Sequence, residues 1–137
     1  MTNYFDISEL TASETAKAKG INNKPSIEVC DNLHILISEC LNPIRQEFGK
    51  AIRVTSGYRC EKLNKAVGGK ANSQHLKGEA ADVIGKNDEE TRRIFEIARA
   101  LGNFDQLLFE RSGSKRWVHI SYKKNGNRKQ AIDNYYV

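Results

Sequence analysis

The strongest constraint on the fold is an apolar stripe in the first half of the chain. Cys30, Leu33, Leu36 or Ile37, Cys40, Leu41, Ile44 and Phe48 recur at three- and four-residue steps. That spacing places them on one face of a helix, and the face needs cover from other elements. Ser26 stands where an N-cap belongs, just after the turn Asn22-Asn23-Lys24-Pro25. Pro43 interrupts the stripe. It lacks a backbone donor, so it either kinks the helix or starts a second one after Asn42.

Further on, helical signals alternate with short strand signals. Thr11-Ala12-Ser13-Glu14 fits a capping box with Thr11 as N-cap, predicting a helix to about Lys19 that stops at Gly20. Ala51 to Thr55, Ala80 to Ile84, Phe104 to Phe109 and Trp117 to Tyr122 read as strands. Arg111 to Lys115 makes a hairpin of the last two. Arg59 to Val67 reads as a brief helix, and Asn87 caps another that carries Ile94, Phe95, Ile97, Ala98 and Leu101. Lys70 to Gly78 reads as a loop. The tail from Lys123 to Gln130 is polar, and Ile132, Tyr135, Tyr136 and Val137 are apolar enough to pack back. Helices first, then a small, mostly antiparallel sheet packed with helices, is an α+β pattern. At 137 residues the expectation is one domain, 1–137.

Composition narrows the function classes. Hydrophobic residues make up 39% and charged residues 28%, which fits a globular chain rather than a disordered one. No run approaches the ~18 apolar residues of a membrane span. The N-terminal residues show neither a basic nor an apolar signal region, so the expectation is a chain made in the cytoplasm. The net charge of +5 is mild, and the basic residues of the second half are mixed with acids. No nucleic-acid-binding signature accompanies them, and no nucleic acid partner is expected. Cys30, Cys40 and Cys60 are odd in number and lack Cys-x-x-Cys spacing, so free thiols are expected. Nothing in the residues calls for an oligomer, and a monomer is the expectation.

Three histidines are present, and two have notable neighbours. His75 lies in Ser73-Gln74-His75-Leu76-Lys77-Gly78-Glu79-Ala80-Ala81-Asp82, and His119 in Trp117-Val118-His119-Ile120-Ser121. Two imidazoles and a carboxylate can form a three-ligand zinc set that leaves one position for water. Seven residues with a glycine between them let His75 and Asp82 converge from a loop and a strand. Strand alternation puts Trp117, His119 and Ser121 on one face. His34 carries no motif and reads as structural or exposed.

The pattern Ser73-x-His75-x-x-Gly78-x-Ala80-x-Asp82 followed by Trp117-Val118-His119 resembles the zinc D-alanyl-D-alanine carboxypeptidase family. That family includes peptidoglycan carboxypeptidases and phage endolysin endopeptidases, and shares its fold with the hedgehog signalling domain. Phe5 to Leu10, Ser13 to Ala16, Ser56-Gly57-Tyr58-Arg59, Leu63 to Gly69 and Phe104-Asp105-Gln106-Leu107 also resemble family segments, so the likeness spans roughly residues 5 to 122. The resemblance implies Zn2+ held by His75, Asp82 and His119, and hydrolysis of an amide bond in peptidoglycan stem peptides. It implies action on the bacterial cell wall, after export or lysis.

Such hydrolysis needs a general base. Many relatives place an acid three residues before the last histidine, but Arg116 stands there in this chain. Glu110 and Asp105 are the candidates, and Glu110, which a hairpin returns towards His119, is preferred. By regular alternation the two lie on opposite strand faces. Arg59 is the leading substrate-binding candidate, because a guanidinium grips a carboxylate through two hydrogen bonds. Ser73 and Gln74 are candidates for binding substrate or orienting the imidazole, and Trp117 for stacking in the cleft. The missing acid at Arg116 favours an alternative: a catalytically inactive zinc-binding module that holds cell-wall or protein ligands.

Overall fold

The computed structural model describes residues 3–137. The apolar stripe becomes one long helical run. Ser26 caps α3, Ile27–Leu36, by accepting the Val29 amide, and the run continues through a π-helical turn, Ile37–Leu41, into α4, Asn42–Phe48. Pro43 thus falls in the first turn of α4, directly after the π-helical turn, and the helical run continues through it. The Glu39 carbonyl, four residues before Pro43, is left without its helical donor, and the Asn103 side chain supplies one at 3.0 Å. The next residue, Cys40, is buried, and burial pushes its thiol far above the usual range. Among the described residues all three cysteines are free.

The first helices differ from expectation. Asp6 and Glu9, not Thr11 and Glu14, form the capping box, and they cap α1, Ile7–Thr11. Thr11 is the last residue of that helix, so its Oγ1 bonds back to the Ile7 carbonyl. Ser13 is the N-cap of α2, Glu14–Lys19, which ends at left-handed Gly20 as expected.

Five strands form one sheet: β1 Arg53–Ser56, β2 Ala80–Ile84, β3 Gln106–Ser112, β4 Lys115–Ser121 and β5 Gln130–Tyr136. Their order is β1-β2-β4-β3-β5, with every pair antiparallel except β3 and β5. β5 is not visible in the sequence pattern. Asn134 breaks its alternation with a left-handed φ of 55°, and Tyr136 and Val137 stay exposed instead of packing back. The other helices are α5, Glu61–Ala66, and α6, Asp88–Leu101, which is capped by Asn87. Within the segment read as a loop, Gln74–Lys77 forms a 3-10 turn.

Alternation divides the sheet into two chemistries. Ala81, Val83, Leu107, Phe109, Val118 and Ile120 join one apolar cluster with Leu33, Leu36, Leu41, Ile94 and Phe95. The other face carries Asp82, Glu110, Trp117 and His119. The hydrophobic core thus fixes the sheet from behind, and the polar face is free to hold a site. The result is a small α+β fold. Among the described residues no helix is long and apolar enough to cross a membrane.

Candidate metal centre and its surroundings

Sheet register brings two of the three candidate ligands together. Asp82 on β2 pairs directly with His119 on β4, and paired residues on one face have Cβ atoms roughly 5 Å apart. His75 arrives from the 3-10 turn, and Gly78 then reverses the chain into β2. Gly78 has φ +72°, and a Cβ there would lie 2.9 Å from Val29, so the turn needs glycine on both counts.

The donor atoms converge. His119 Nδ1 lies 3.1 Å from Asp82 Oδ1, and His75 Nε2 lies 3.4 Å from the same oxygen. All three donor atoms fall within 4.8 Å of one another. Ligand atoms about 2.0–2.1 Å from a tetrahedral zinc are themselves roughly 3.3 Å apart. His75 is 2% and His119 8% exposed, so water does not compete freely for their nitrogens. The Asp82 carboxyl is held well below the usual carboxylate range: burial opposes this, but the charges and hydrogen bonds of the two histidines outweigh it. Two nitrogens and one ionised oxygen, with both nitrogens near that spacing from the oxygen, are a donor set that suits zinc.

Each imidazole has a second partner. His75 Nδ1 faces the Gly57 carbonyl at 2.7 Å, and His119 Nε2 faces Gln74 Oε1 at 3.1 Å. A carbonyl accepts and cannot donate, so each of these oxygens favours the ring proton on the nitrogen facing it, against the pull of Asp82 on the other nitrogen. The inward nitrogen then keeps its lone pair for a metal.

The remaining candidates occupy distinct places. Glu110 is half-buried, and the Trp117 indole N–H donates to its carboxylate. Its carboxyl is pushed up, first by burial and then by the Asp82 charge, while His119 and His75 pull it down. Trp117 thus holds Glu110. Arg59 is half-buried, and its Nε is buried without a partner. Burial lowers its proton affinity, and the charges of Asp82 and Glu110 oppose this, so both carboxylates lie near enough to act on the guanidinium. Ser73 caps the 3-10 turn by accepting the His75 amide at 3.2 Å. Gln74 orients an imidazole, but that of His119 rather than its neighbour His75. Asp105 is fully buried just before β3. Its carboxylate accepts from Gln74 and from Arg128, and the bonds and charge of Arg128, aided by the Lys123 charge, hold its pKa near 2 against burial. His34 is exposed. Arg116 bonds the hairpin carbonyls of Gly113 and Lys115, at 2.8 and 2.9 Å.

Three supporting residues escape the sequence reading. Gly57 supplies a carbonyl, which leaves no side-chain signal. Asn23 is buried and ties Thr11, Tyr58 and Cys60 together, fixing the loop that carries Arg59. The Asn22–Pro25 segment reads only as a turn. Arg128 lies in a tail whose polarity suggests solvent.

The small α+β fold thus brings His75 from a turn to Asp82 and His119 on its sheet, a set that could hold a metal ion. A family model described as Peptidase M15 matches residues 3–121, and the chain belongs to that family. None of the curated proteins searched matches it.

Proposed function

We propose that this protein is a zinc-dependent peptidase that hydrolyses an amide bond in peptidoglycan stem peptides, as a carboxypeptidase or an endolysin-type endopeptidase. The observation that carries the reading is the convergence of His75 Nε2, Asp82 Oδ1 and His119 Nδ1 in a Peptidase M15 chain. Zinc bound there supplies a Lewis acid that polarises the scissile carbonyl and the attacking water. Glu110 takes the proton from that water as it attacks the carbonyl carbon. It then passes the proton to the amide nitrogen as the C–N bond breaks, giving a carboxylate and an amine. Its burial and raised proton affinity suit a base that must also act as an acid. Asp105 is a poor base, because guanidinium and amide donors hold its carboxylate.

Arg59 carries an unpartnered buried Nε, and its charge is felt by Asp82 and Glu110. A stem-peptide carboxylate would satisfy it. Action on the bacterial wall, after export or lysis, follows from that substrate. The binding-module alternative drew its support from Arg116, and Glu110 on the neighbouring strand supplies an acid in its place.

The test is release of soluble fragments from purified peptidoglycan. Release that a chelator stops, and that Glu110→Gln lowers by about 10^2-fold or more, is expected. The masses of the new termini name the bond. Zinc-loaded protein that leaves several wall chemotypes intact would contradict the peptidase reading and favour the binding module.

A further inference from the structure

A hydrogen-bond chain leads from the metal centre into a segment beyond the family match. Gln74 Oε1 faces His119 Nε2 at 3.1 Å, and Gln74 Nε2 donates to Asp105 Oδ2 at 2.8 Å. Arg128 then donates to Asp105 three times: its backbone N–H to Oδ1 at 2.9 Å, Nε to Oδ1 at 3.1 Å, and Nη2 to Oδ2 at 2.8 Å. The match ends at residue 121, and Arg128 sits in the connection between β4 and β5.

Each link has a direction. A carboxylate paired with a guanidinium is ionised and only accepts. Gln74 must therefore turn its NH2 to Asp105 and its carbonyl oxygen to His119. That oxygen also only accepts, so it draws the ring proton to Nε2 and leaves the lone pair on Nδ1. The competing arrangement is equally definite. Asp82 Oδ1 lies 3.1 Å from Nδ1 and attracts the same proton. If Gln74 were free to flip, its NH2 would donate to Nε2 while Nδ1–H pointed at Asp82. That tautomer cannot bind a metal through Nδ1.

We propose that the C-terminal segment beginning at Tyr122 is part of the metal centre: Arg128 holds Asp105, Asp105 orients Gln74, and Gln74 keeps the His119 proton on Nε2. Arg128, Asp105 and Gln74 are positioning residues in this scheme, which rests on the metal-site reading above. The segment is built to present Arg128. Asn127 bonds both backbone groups of Lys123, at 2.8 and 2.9 Å, closing the loop. Gln130 N–H donates to the Asp105 carbonyl at 3.0 Å as β5 begins. The geometry also explains why the connection crosses over the start of β3: β5 lies beyond β3, so the chain must pass Asp105 to reach it.

The test reads the tautomer in metal-free protein, from the ring nitrogen shifts of His119 at about pH 8.5, above the ordinary imidazole range. Wild type is expected to carry the proton on Nε2. Arg128→Ala and Gln74→Leu are expected to move it towards Nδ1, with a loss of about 10-fold or more in zinc affinity. Arg128→Lys should fall between. His75, held by the Gly57 carbonyl, should keep its tautomer throughout, which also reports that the fold is intact. If Arg128→Ala does not fold, Gln74→Leu decides, since that side chain is half-exposed. A wild-type proton on Nδ1, or unchanged tautomer and affinity in a folded Gln74→Leu, would overturn the proposal. Wild-type protein that shows the expected tautomer and variant shifts but binds no zinc would refute the metal-site reading instead.

Discussion

Trp117 and Glu110 face each other across the β3–β4 hairpin, and the indole N–H donates to the carboxylate. The pair sits on the sheet face that carries Asp82 and His119. Trp117 thus fixes where the proposed base stands. Trp117→Phe keeps the ring area and removes the donor. A hydrogen bond to a charged group contributes roughly 1.5–3 kcal/mol, so kcat should fall about 10-fold or more while zinc content and KM hold. A rise in KM with kcat unchanged would instead mark Trp117 as a substrate-stacking residue.

Gly57 packs against the backbone of Leu10. A Cβ there would lie 2.2 Å from the Leu10 carbonyl oxygen, so Gly57→Ala must displace one segment or the other. Over-packing of this kind typically costs ~1–3 kcal/mol. The Gly57 carbonyl also orients His75, so stability and zinc affinity should fall together. Denaturation midpoints and chelator competition measure the two losses. A stable variant with weakened zinc binding would separate them.

Asp105 sets an expected pH dependence of stability. Its folded pKa, near 2, lies below the ordinary value of 3.8. The folded state therefore binds fewer protons than the unfolded state between those values. The stabilisation is fully present above about pH 4 and is lost as the pH falls towards about 2. Asp105→Asn should be less stable at neutral pH and should lose less on acidification. Urea midpoints from pH 7 down to pH 2.5 check both.

Much of this was legible because local signals agreed with the fold. Ser26 and Asn87 cap the helices expected of them, and β2 spans Ala80–Ile84 as its pattern predicts. The Asp82–His119 juxtaposition follows once the two strands pair, because alternation had already placed His119 on the face opposite Val118. The sequence does not decide between two successive capping-box patterns at the N-terminal helices. Asp6 with Glu9 and Thr11 with Glu14 share the same spacing, and only the Asn23 bond to the Thr11 carbonyl, with Gly57 packed on Leu10, shows where the chain turns. Asp105 was placed by extending β3 backwards, but the strand begins at Gln106, so alternation does not govern it. Its partner Arg128 is 23 residues away in a polar segment, and no local pattern encodes such a contact.

Metal content is the most direct measurement of the central claim. Asp82 and His119 lie on the sheet face opposite the apolar cluster, and none of the three ligands belongs to that cluster, so losing a ligand should cost metal and not the fold. About one zinc per chain, removable by a chelator, is expected for the wild type. His75→Ala should stay folded by circular dichroism and bind no zinc tightly. A wild type that takes up no zinc on reconstitution, or a His75→Ala variant that keeps it, would contradict the three-ligand centre.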